Sequence, residues 1–138
     1  MKISKIDSSN YLKGLMLLIR KDHQVTEIEA ILIKRIGKSL GFESEFCERT
    51  ISEILHNKFV EDTPPVFSEK ELAGKFIRDG LAVIFSDNIL HPAEENWLIA
   101  TAEKNGIEVS EYYEIKNSFL NSNQKLQKLE VDDLIVSQ

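Results

Sequence analysis

Apolar residues fall at helical spacing along most of this chain. Leu12, Leu15, Met16 and Ile19 recur at i, i+3, i+4 and i+7, so they share one face of a helix. Leu17 and Leu18 widen that stripe, which predicts a central helix. Ser8, Ser9 or Asn10 is expected to cap it, and Lys21 to Val25 is a polar turn. A second helix should start at Thr26, because Thr26-x-x-Glu29 has the form of a capping box. Its apolar face is read as Ile28, Ile31, Leu32, Ile36 and Leu40, and Gly41 suits the left-handed residue that stops a helix. Ser44 is expected to cap a third helix carrying Phe46, Ile51, Ile54, Leu55 and Phe59.

Pro64 and Pro65 break the pattern and force an extended path. Ser68-x-x-Glu71 then reads as a second capping box, before a helix with Leu72, Phe76, Leu81, Val83 and Ile84 that ends near Ser86. His91-Pro92 opens a fifth helix, with proline at the tolerated first position, and Asn105-Gly106 closes it. Ser110 is expected to cap a sixth, with Tyr113, Phe119 and Leu120 buried. Residues 121–138 are read as a tail or a short C-terminal helix over Lys125 to Leu129, with Asp132 to Val136 packing an apolar end on the body or fraying. The expected fold is therefore all-α, six or seven helices in a single domain over residues 1–138.

Composition narrows the function. Six glycines and three prolines are too few for the turns of an all-β sandwich. Seventeen basic against 23 acidic residues give a net charge of −6, which argues against a nucleic-acid partner. One cysteine excludes an internal disulfide and a multi-cysteine zinc site. The sequence shows no bilayer-length apolar run and no apolar leader in its first ten residues, so the expectation is a cytoplasmic protein without a membrane partner.

Sliding the chain on itself by 65 residues aligns Asp22 with Asp87, Glu29 with Glu94, Gly41 with Gly106 and Glu43 with Glu108. Ile19 also falls on Ile84 and Val25 on Leu90, and no gap is needed between 11–43 and 76–108. These matches sit at turns and helix ends. They predict two helical hairpins related by a pseudo-two-fold axis, separated by the third helix and the proline hinge.

The same alignment holds the candidate chemistry. Asp22-x-x-Val25-Thr26-x-x-Glu29 and Asp87-x-x-Leu90-His91-x-x-Glu94 each place an acid before a turn and another in the first turn of the next helix. If the hairpins pack together, the four carboxylates can converge on a hard divalent cation such as Ca²⁺, Mg²⁺ or Mn²⁺. The competing explanation is structural: carboxylates favour helix starts and aspartates favour turns. An EF-hand is excluded, because the sixth and twelfth positions from Asp22 are Glu27 and Ile33, and from Asp87 Pro92 and Leu98.

The run Leu18 to Glu29, followed by Ile36 and Leu40-Gly41-Phe42, resembles the TerB-like (tellurite-resistance TerB) family, and is similar to the N-terminal domain of membrane-anchored DnaJ-like proteins. Phe85 to Glu95 resembles the same motif a second time. The resemblance covers about 11–113 and implies an all-helical, pseudo-symmetric fold with Asp22, Glu29, Asp87 and Glu94 as an acidic metal site. His23 and Asn88 stand where the motif usually has glycine after the aspartate.

Other candidates are sparser. Glu53-x-x-His56 is half of a di-iron pattern that needs two copies. Cys47, near a helix start, is either a tuned thiol or a small core residue. Lys34, Arg35 and Lys38 form a basic face next to the acidic Glu43, Glu45 and Glu48. The function expected is a non-enzymatic TerB-like module of protein-interaction or stress and tellurite-resistance type, with a protein partner or a homodimer contact and a divalent cation. The alternatives are a carboxylate-based metal-dependent enzyme and a ligand-free adaptor.

Overall fold

Two helices carry the apolar runs that end at Ile19 and Ile84, and the rest of the chain is arranged around them. The computed structural model describes residues 1–22, 25–57, 61–86, 90–122 and 128–137, with Asp22 described in its backbone only. Among these residues the fold is all-α, with six helices: α1 (Lys5–Ile19), α2 (Glu27–Ser39), α3 (Ser44–His56), α4 (Lys70–Ile84), α5 (Pro92–Lys104) and α6 (Val109–Asn121). Short 3-10 turns span Arg20–Asp22 and Glu130–Asp133, and two-residue strands β1 (Lys2–Ile3) and β2 (Ile135–Val136) pair in parallel. No helix among the described residues is long and apolar enough to cross a membrane.

Helix bounds coincide at an offset of 65 residues. Lys5 and Lys70 open α1 and α4, Glu27 and Pro92 open α2 and α5, and Ser44 and Val109 open α3 and α6. The closing residues keep the same offset in all three pairs. After α2 and α5 the chain turns on Gly41 at φ +91° and Gly106 at φ +80°, where a side chain would be strained. The turns close alike: Phe42 N–H donates to Gly37 O at 2.8 Å, and Ile107 N–H to Ala102 O at 2.9 Å.

α1 and α4 cross closely. Tyr11 and Phe76, themselves 65 apart, meet edge to face with centroids 5.4 Å apart. A Cβ added to Gly14 would lie 2.8 Å from the Phe76 ring, and one on Gly80 would lie 3.2 Å from Leu18, so both glycines are needed for the approach. α1 also packs on α2, α3 and α5, and α4 on α2, α5 and α6. The shared core runs from Tyr11, Leu15 and Leu18 through Ile33 and Ile36 to Phe76, Leu81 and Leu98.

The structure corrects several local expectations. α1 starts earlier than predicted, on Ser4, whose hydroxyl accepts from Asp7 N–H. Glu43, Glu69 and Glu108 stand at the N-caps expected for Ser44, Ser68 and Ser110. Ser68 does not cap α4, because its hydroxyl and its amide both donate to Asp7 of α1. The buried stripe of α2 is rotated by about one position: Leu32, Ile33 and Ile36 face inward, while Ile28 and Ile31 are 48% and 57% exposed. In α6, Tyr112 takes the buried place expected for Tyr113, and Leu120 is exposed. The buried Tyr112 donates its hydroxyl to Glu95 of α5 at 3.0 Å.

The described C-terminal residues form the short 3-10 segment Glu130–Asp133 and the strand Ile135–Val136, and they pack on the body. Leu129, Val131 and Leu134 are buried, and Ile135 and Ser137 amides donate to Met1 and Ile3 carbonyls at 2.8 Å. Most of the helix expected over Lys125 to Leu129 lies outside the described residues.

Candidate functional site

The two acidic turns are built by the starts of α2 and α5. Thr26 caps α2 through its hydroxyl, which accepts from Glu29 N–H at 3.1 Å, and Glu29 Oε1 accepts from Thr26 N–H at 3.0 Å. Both arms of the predicted capping box are present. Glu29 is 1% exposed, and Glu94, at the corresponding third position of α5, is 0% exposed. Carboxylates so fully buried are uncommon, and each here lies in the first turn of a helix, where the dipole favours negative charge. His91 forms the N-cap of α5 with Pro92 next, as predicted.

Asp22 ends the 3-10 turn that follows α1, and that turn packs on α5, the helix that Glu94 begins. Asp62 ties the region together from the proline connection. Its carboxylate pairs with Arg20 at 3.2 Å and Lys21 at 2.6 Å, and its carbonyl accepts from Trp97 Nε1 of α5 at 3.0 Å. Asn105 fastens the same connection farther on, donating to Pro65 O at 2.8 Å and accepting from Phe67 N–H at 2.8 Å. The prolines thus form a strap held across the ends of α1 and α5 rather than a free hinge.

Of the four candidate ligands, Glu29 and Glu94 are placed with their side chains. The Asp22 carboxylate and all of Asp87 lie outside the described residues. No group of three or more metal-binding side chains gathers among the described residues. Glu29 and Glu94 are carboxylates, the donor type a hard cation takes, and both are withdrawn from water, which competes for such an ion.

The remaining candidates resolve into structure. Cys47 is buried beside Gly37 of α2, and burial pushes its thiol pKa up, so it is a core residue. Glu53 and His56 are exposed on α3, with His56 Nδ1 2.8 Å from Ser52 O. Lys34 pairs with Glu48 at 2.6 Å and Arg35 with Asp132 at 2.8 Å, so the basic face is partly neutralised by its neighbours.

Sequence reasoning missed Asp79. It is buried in α4 and accepts from Tyr11 Oη at 2.6 Å, Glu130 N–H at 2.7 Å and Val131 N–H at 3.0 Å. Burial pushes its pKa up to about 6, against the lowering pull of these three donors. One acid inside the apolar run from Phe76 to Ile84 was the available signal. Comparison with family models, with curated proteins and with solved structures finds no match to this chain.

Proposed function

We propose that the chain is a non-enzymatic, TerB-like interaction module made of two three-helix units about an approximate two-fold axis, and that its paired acidic turns hold one divalent cation. Asp22, Glu29, Asp87 and Glu94 are the ligands in this reading, and Ca²⁺, Mg²⁺ or Mn²⁺ is the ion. A role in stress or tellurite resistance follows from the resemblance of its motifs. The observation that carries the reading is the packing of the Asp22 turn on α5, whose first turn buries Glu94. The shared offset of every helix pair supports the two-unit arrangement. The bound ion would tie the turn of one unit to the first turn of the other; its role is structural or regulatory, and no chemical step is assigned to it.

Thermal unfolding of chelator-treated protein tests this. An ion that binds only the folded chain raises Tm, by about 5–10 °C at a hundredfold excess over Kd. Asp22→Asn and Asp87→Asn should each abolish the rise and leave the helical circular-dichroism signal unchanged. An unchanged Tm with all three ions at millimolar concentration discards the cation.

A further inference from the structure

Each unit has a segment lying over its first helix, and the two segments are fastened differently. In the first unit Pro65 of the proline strap lies against Gly14 of α1, 2.9 Å from where a Cβ on that glycine would stand. At the 65-residue offset the pair becomes Glu130 and Asp79 of α4, and Glu130 N–H donates to the Asp79 carboxylate at 2.7 Å. Proline has no N–H to give and glycine no side chain to receive one, so the first contact is steric and the second is a hydrogen bond to an acid. Val131 N–H donates to the same carboxylate at 3.0 Å, and Tyr11 Oη of α1 at 2.6 Å. Leu129, Val131 and Leu134 are buried alongside, and Asp132 meets Arg35 of α2 at 2.8 Å. Residues 129–134 thus cover Asp79, which is 1% exposed, and supply two of its hydrogen bonds.

We propose that residues 129–134 are a pH-sensitive clasp, closed most firmly on α4 when Asp79 carries a proton and loosened when that carboxyl ionises. Closing the clasp takes the carboxyl out of water and opening returns it, so the charged form favours the open arrangement. The two amides offset part of that cost without cancelling it: the covered group titrates at about 6 against an ordinary 3.8, and the Glu130 charge adds to the rise. Tyr11, which faces Asp79 from α1, keeps its proton, because burial pushes its phenol pKa up. Lys75 and Arg78 of α4 lie 3.6 Å from Glu130, and Lys128 lies 3.3 Å from Asp133; all three stay cationic in this range. From the other neighbours, α2 turns Arg35 to Asp132, and α5 meets α4 here through Leu98 at Gly80. α6 lines the adjoining space with Ser118 and Phe119. The inference uses the helix offsets and is independent of the cation.

Amide hydrogen exchange of the full chain, read as protection relative to each amide's intrinsic rate, tests this. The amides of Val131, Ile135 and Ser137 donate to Asp79, Met1 and Ile3. Their protection should fall together by about tenfold between pH 4.5 and pH 7.5. Leu15 and Leu18 in the core of α1 should stay better protected than the clasp at both pH values, which marks the opening as local. Asp79→Asn, which keeps an acceptor oxygen but cannot ionise, should make clasp protection flat with pH. Tyr11→Phe removes a donor to the charged form and should move the loss to higher pH. Clasp protection that is flat in the wild type, that rises with pH, or that changes only in step with Leu15 and Leu18 overturns the proposal. So does an Asp79→Asn variant that keeps the wild-type profile.

Discussion

Asp79 shows how one residue can set a chain's response to pH. Its carboxyl is withdrawn from water, and the charged form is held by one hydroxyl and two amides. Burial outweighs those donors, so the folded-state pKa rises from 3.8 to about 6. Between those values the folded chain keeps a proton that the unfolded chain releases. The contribution to stability is therefore present at low pH and is lost as pH rises through the folded value. The loss amounts to about 3 kcal/mol at most. Urea unfolding of the wild type and Asp79→Asn should show the wild type losing stability relative to the variant between about pH 4 and pH 7. A difference that stays flat with pH contradicts the burial of an ionisable group at this place. Asp79 also explains a failure of sequence reasoning. Its two amide partners come from Glu130 and Val131, about fifty residues on in the chain. Local spacing carries no trace of such a contact.

At the scale of elements, the glycines separate two kinds of position within similar helices. Gly14 of α1 lies against Phe76 and Pro65, at 2.8 and 2.9 Å from where a Cβ would stand. Gly74 of α4 meets nothing within 4 Å. Gly14→Ala should cost about 1–3 kcal/mol through overpacking. Gly74→Ala should stabilise by about 0.5–1 kcal/mol, since alanine is the better helix former. Chemical denaturation of the two variants checks both signs. Helix existence was legible because periodicity, Thr26-x-x-Glu29, Gly41 and His91-Pro92 are local signals with local causes. Which face points inward was less legible. Ile28, Ile31 and Leu32 are all apolar, and the neighbours of α2 decide that Ile33 goes in while Ile28 and Ile31 stay out. Ser68 failed as a cap for the same reason: Asp7, 61 residues away, claims its hydroxyl.

At the scale of the whole molecule, the first and last described segments meet. The N-terminal amine donates to Asp133 O at 3.0 Å, and β1 pairs with β2 in a ladder that neither segment announces in sequence. The 65-residue offset was visible in five identities, yet the structure extends it to all three helix pairs, including α3 and α6, where sequence similarity is faint. Helix bounds and the two glycine turns keep the same offset where the side chains differ. Of the acidic set, the placement of Glu29 and Glu94 at equivalent helix starts was legible, because first-turn acids and stop glycines mark the register. That Asp62 would strap the Asp22 turn to Trp97 was not, since the contact crosses the proline connection. A paramagnetic ion probes the central claim at the level of individual residues. In a Mn²⁺ titration of ¹⁵N-labelled protein followed by NMR, broadening should begin together at the amides of Val25 to Glu29 and of Leu90, His91, Ala93 and Glu94, and should vanish in Asp22→Asn. Broadening that begins at only one of the two turns, or elsewhere on the acidic surface, would contradict a shared ion between the units.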